Sequence, residues 1–215
     1  MAASGFEWNP DRVNGMTKTR LEAFSDCVLS IIITIMVLEL KVPRSAELSA
    51  LQPIVPSFLS YLLSFVFIGI YWNNHHHLLQ AACHVDGRIL WANLHLLFWL
   101  SLVPFTTSWM GNTEFAAWPV AIYGVVLLLA GVAYYLLARA LIAREGSESA
   151  LAQAVGRDCK GIASLVLYAT AIPLAFVHPW IACAIYVLVA LIWLVPDPRI
   201  ERTLPPDNCS SAGQT

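Results

Sequence analysis

The stretch RLEAFSDCVLSIIITIMVLEL, residues 20–40, decides the fold. It has the length of a membrane-spanning helix, for which about 20 mostly apolar residues are needed. Its first turns nevertheless carry Arg20, Glu22, Ser25 and Asp26, and only then does it run Ile31-Ile32-Ile33-Thr34-Ile35. A helix that enters lipid through a charged, hydrogen-bonding cluster needs partners for that cluster, because a carboxylate at the edge of hydrocarbon is costly unless it faces a partner or water.

The rest of the chain supplies the context. Of 215 residues, 58% are hydrophobic and only 12% charged. The mean hydropathy is +0.66. A soluble domain carries roughly 25% charged residues, so a soluble fold is excluded. The apolar residues fall into six blocks, spanning residues 21–40, 54–72, 89–110, 115–141, 162–177 and 180–195. The expectation is an all-α polytopic membrane protein of six transmembrane helices. The last two are short and joined by His178-Pro179-Trp180, which predicts a tight hairpin. Pro104 and Pro173 fall inside spans, where neighbouring helices can satisfy the freed carbonyls.

Residues 1–17 form a polar arm without the apolar core of a cleavable signal, so the first span is expected to act as the insertion signal. Residues 196–215 read as a flexible Pro- and Ser-rich tail, which leaves 18–195 as the membrane domain. Ten of the twelve basic residues (Arg12, Lys18, Arg20, Arg88, Arg139, Arg144, Arg157, Lys160, Arg199 and Arg202) fall on one side of the six spans, with Lys41 and Arg44 on the other. By the positive-inside rule both termini are cytoplasmic. The five cysteines form no disulfide framework and are expected to be free thiols.

On a helical wheel Cys27, Ile31, Ile35 and Leu38 fall within about 40° of one line, with Thr34 about 60° to its side. Asp26 points about 140° away from Ile31. The first helix therefore offers an apolar stripe on one face and aims its carboxylate elsewhere, towards another helix. Candidate partners sit at the same depth. The second span ends in Trp72-Asn73-Asn74-His75-His76-His77, and the third carries Asn93 and His95. Groups at matched depth can form one shared hydrogen-bond network.

These residues also carry a family resemblance. Arg20-Leu-Glu-Ala-Phe24-Ser25-Asp26 resembles the RxxxFSD motif that opens the first helix of the transmembrane protein 175 potassium-channel family. Tyr71 to His76 resembles its YWxxHH motif, and the Asn93 helix leads to Pro104-Phe105-Thr106-Thr107. The six-helix size resembles the short bacterial members. The resemblance implies a potassium-permeable channel in a bacterial inner membrane, assembled as a homotetramer around a pore lined by the first helix. Such a pore has no TVGYG carbonyl filter, and this sequence contains none. Counted from the motif, the narrowest ring falls at Ile31, with Thr34 and Leu38 further along. Rings of bulky aliphatic side chains gate by dewetting. Arg20, Phe24, Ser25, Asp26, Trp72, His75 or His76, and Asn93 are then expected to support the pore helix. The expected partners are lipid, monovalent cations and further copies of the chain. No cofactor, metal or nucleic acid is implied, save permeant K⁺ in the pore.

Two other readings make different demands. A metal-dependent membrane enzyme would draw ligands from His75, His76, His77, Cys83, His84 and Asp86, but consecutive histidines diverge by about 100° on a helix. A secondary transporter would show broken helices and paired repeats. Glu39, near the outer end of the first helix, is a candidate for a negative ring that attracts cations at the pore mouth.

Overall fold

The computed structural model describes residues 18–43, 45–82, 85–146 and 159–194. The polar arm, Arg44, Cys83, His84, Arg157 and the tail all lie outside the described residues, so the expectations made for them are not addressed by the structure. The described chain is helical: α1 (Lys18–Leu38), α2 (Val55–Gln80), α3 (Gly87–Ser101), α4 (Val103–Asn112), α5 (Ala117–Glu145), α6 (Cys159–Val177) and α7 (Pro179–Leu194). A short 3₁₀ helix, Leu48–Ile54, leads into α2. The six apolar blocks are all present as helices. Five spans are at least 18 residues long, and α7 is shorter at 16 residues.

Three boundaries differ from the sequence reading, each for a physical reason. The second helix does not stop at Trp72. It continues through the asparagines and histidines to Gln80, because several of those polar side chains find partners; Asn74 Nδ2, for one, donates to the Ile70 carbonyl at 2.8 Å. The third span is two helices, interrupted at Leu102. Pro104 is the cause: it has no N–H and its ring clashes with the carbonyl four residues back, so it sits in the first turn of a new helix, α4. The interruption is a kink rather than an unwound stretch, since Leu102 N still donates to Trp99 O and Thr106 N to Leu102 O. Pro173 lies inside α6 without dividing it. The fourth helix starts at Ala117 rather than Phe115. Glu114 and Phe115 both hold left-handed φ angles, 51° and 62°, which turns the chain between α4 and α5 and sets the Phe115 ring 5.0 Å from Trp180.

Packing follows residue size. α5 is the central helix, in contact with α3, α4, α6 and α7, and it buries Ala121, Gly124, Ala130, Ala133 and Ala138 among larger residues. Small residues let helix backbones approach closely where lipid offers no hydrophobic drive. α6 and α7 form the expected hairpin, turning at His178, whose N–H donates to Leu174 O and whose carbonyl accepts from Ile181 N. α1 lies at the opposite edge, against α2, α3 and α4. Of the described basic residues only Lys41 lies at the outer end of the bundle, opposite Lys18, Arg20, Arg88, Arg139, Arg144 and Lys160. The described basic residues thus divide between the two ends of the bundle, the asymmetry on which the positive-inside rule bases an orientation.

Candidate functional site: the first helix and its polar clamp

α1 has two faces of different fate. Leu21, Ser25, Leu29, Ile32 and Met36 are buried against the bundle. Ile31, Ile35 and Leu38 stand exposed at 57%, 42% and 76%, on the face where the helical wheel placed them, and Cys27 and Thr34 are exposed with them. A membrane-spanning helix is apolar all round in any case. What distinguishes this one is a buried hydroxyl, Ser25, on its packed side near the N-terminal end, where it meets polar side chains of its neighbours.

There the side chains connect three helices. His75 of α2 hydrogen-bonds through Nε2 to Asn93 Oδ1 at 2.7 Å. Asn93 of α3 donates through Nδ2 to Ser25 Oγ of α1 at 3.0 Å. Ser25 in turn donates to the Leu21 carbonyl at 2.9 Å. All three side chains are buried. The chain runs in one direction, each donor serving the next acceptor, so Asn93 uses both ends of its amide and fixes its neighbours' orientations. A second bond lies at the surface, where Trp72 Nε1 donates to Asp26 Oδ1 at 3.0 Å. The Asp26 carboxylate is exposed rather than buried, and its partner is on α2. The Trp72 ring stacks on His76 at 6.1 Å and 20°. His75 is therefore the hydrogen-bonding histidine and His76 the stacking one. Lys18 Nζ adds a tie from α1 to the Gln80 carbonyl at 2.9 Å.

The structure brings together Ser25, Asp26, Trp72, His75, His76 and Asn93. Arg20 and Phe24 are exposed and stand outside this set of contacts. Asp86 caps α3, accepting from Arg88 N and Ile89 N, and His77 Nδ1 is buried without a hydrogen-bond partner. With these roles taken, no group of three metal-ligating side chains converges among the described residues.

Other polar contacts carried no signal in the sequence. Ser64 shares hydrogen bonds with Thr107 at 2.7 Å and Tyr123 at 3.0 Å, joining α2, α4 and α5 inside the core. At the outer end Glu39 accepts from Ser108 Oγ at 3.1 Å, and Ser108 accepts from Asn112 Nδ2. Single hydroxyls in apolar helices do not reveal which neighbour they meet.

Fold and clamp together define a polytopic α-helical membrane protein in which one apolar-faced helix is tied to its neighbours by a polar network. Comparison with known proteins places it more closely. The family model described as endosomal/lysosomal potassium channel TMEM175 matches residues 20–104, the region that holds α1, the clamp and the start of α4. A potassium channel of Chryseobacterium sp. (strain P1-3) is 56% identical over 189 residues, covering 88% of this chain and 98% of that one. The endosomal/lysosomal proton channel TMEM175 of Danio rerio is 30% identical over 132 residues, 59% of this chain and 24% of that one. The crystal structure of a lysosomal potassium-selective channel TMEM175 homologue from Chamaesiphon minutus superposes with a TM-score of 0.72 at 27% identity, covering 82% of this chain and 96% of that one. The chain belongs to the TMEM175 family, in its short bacterial form.

Proposed function

We propose that this integral membrane protein is a potassium-permeable channel rather than an enzyme, and that it assembles as a homotetramer in a bacterial inner membrane with α1 lining the pore. The observation that carries the reading is the exposed Ile31–Ile35–Leu38 face of α1, set opposite the side that the clamp holds. Four copies of that face around an axis give a ring of Ile31 side chains too apolar to stay wet when narrow. Thr34 supports the same reading. Its hydroxyl proton is engaged by the Ser30 carbonyl at 2.8 Å, so only the lone pairs of its oxygen remain for an outside partner. Such an oxygen can replace part of a cation's hydration. In this assembly Arg20 and Phe24, exposed in one subunit, face neighbouring copies or lipid at the pore entrance.

The test is the reversal potential of purified protein in planar bilayers with K⁺ opposite Na⁺, repeated for Ile31→Ala. Passive current that favours K⁺, with conductance raised severalfold by the substitution, is the expected result. Current unchanged by Ile31→Ala would move the constriction off this residue. Current absent from folded, assembled protein would remove the channel reading. Because animal relatives carry the name of proton channels, a third arm applies a pH gradient at equal K⁺; a reversal potential that follows the proton gradient would assign the current to H⁺.

A further inference from the structure

Away from α1, on the far side of the bundle, α2, α5, α6 and α7 surround a partly open cavity. Its walls are graded. Phe67, Leu165 and Tyr168 line the end nearer the membrane centre, while Asn74, Ser164 and Trp193 line the end nearer the cytoplasm. Several hydrogen-bonding atoms of that second end are already engaged. Ser164 donates to Lys160 O and accepts from Trp193 Nε1, both at 2.8 Å. Asn74 Nδ2 is held by Ile70 O, and Tyr134 donates to Asn74 O at 3.2 Å. A water needs two to four polar partners to settle in such a space, and a polar solute needs as many. These walls offer few, so they suit an apolar occupant, which would also restore the dispersion contacts that an empty space forfeits.

The mouth shows where that occupant comes from. On α6, Gly161 and Leu165 line the cavity and alternate with Ile162 and Val166, exposed at 55% and 60%. On α5 the lining residue Tyr135 is itself exposed. The cavity thus opens beside surface that faces acyl chains. One turn towards the cytoplasm from Tyr135, on the same helix face, stands the exposed Arg139. Helical side chains lean back over the preceding turn, which carries the guanidinium towards the cavity rim. Basic groups between transmembrane helices on the cytoplasmic side suit anionic headgroups.

We propose that this cavity is a binding site for one anionic phospholipid of the cytoplasmic leaflet per subunit, an acyl chain lying against Leu165 and Tyr168 and the phosphate at Arg139. The site is separate from the α1 face and does not depend on how the pore is built.

The experiment is native mass spectrometry of the full chain extracted from vesicles of equal phosphatidylglycerol and phosphatidylcholine. The wild type is expected to retain phosphatidylglycerol about five-fold over phosphatidylcholine, the ratio expected for one arginine at an anionic surface. Arg139→Gln should bring the ratio to about one, and Leu165→Trp, which fills the cavity, should remove both adducts. No preference in the wild type, or full retention in a folded Leu165→Trp chain, would overturn the site. Should Leu165→Trp fail to fold, brominated-chain phosphatidylglycerol decides instead. It should quench the fluorescence of the wild type more than that of Trp193→Phe, and equal fractional quenching would overturn the proposal.

Discussion

Asn93 is the residue on which the polar clamp turns. Its amide accepts from His75 and donates to Ser25, and all three groups are buried. Asn93→Ala would leave the buried His75 ring without its partner, while Ser25 keeps its bond to the Leu21 carbonyl; an unpaired buried group costs about 1–3 kcal/mol, or less where the chain unfolded in the membrane also finds partners. A clear drop in melting temperature in detergent is the expected outcome. Trp72→Phe is a sharper probe of function. It removes only the exposed bond to Asp26, so it should lower the melting temperature little, at about 1 kcal/mol or less. It should, however, loosen one of the ties on α1, and single-channel recording should show altered open times. The clamp residues are legible in the amino-acid sequence because each is a costly polar group in an apolar run, at a depth matched to the others. His75 and His76 are alternatives on that reading. Neighbours on a helix differ by about 100° in direction, and only the folded placement of α2 and α3 beside α1 shows which one reaches Asn93.

Helices that carry their backbone bonds internally can be read as apolar blocks, and all six are. Their ends are harder. Reading by blocks closes the second helix at Trp72, since it treats polar residues as a boundary, whereas side chains that find partners let α2 run to Gln80. Close approach between helices is also hidden. At Gly111 a methyl group would come within 2.6 Å of the Ser57 Cα, a backbone atom that cannot step aside. Gly111→Ala should therefore force α4 away from α2, at a cost of about 1–3 kcal/mol for overpacking, read as a fall in thermal stability. The nearby pair Ser64 and Thr107 should loosen with it. A glycine among six apolar spans gives no hint of such a contact until the facing helix is known.

For the molecule as a whole, the exposed apolar face of α1 sets the expectation that copies meet across it. Cys27 lies on that face as a free, exposed thiol. A chain in which Cys27 is the sole remaining cysteine should form cross-linked dimers in membranes under mild oxidation or with a short bifunctional thiol reagent, read as a doubled mass on a denaturing gel. Thiol-reactive reagents applied from the cytoplasmic side should reduce its current, and a Cys27→Ser control should show neither effect. The subunit number escapes any reading of one chain, because an exposed stripe gives a surface without its symmetry. Mechanically, α1 resembles a beam pinned near both supports, by Lys18, Ser25 and Asp26 at one end and by Glu39 on Ser108 at the other. A beam so held does not swing like a door. It bows or twists at mid-span, where Ile31 sits, so the aperture can widen while both anchor points stay where they are.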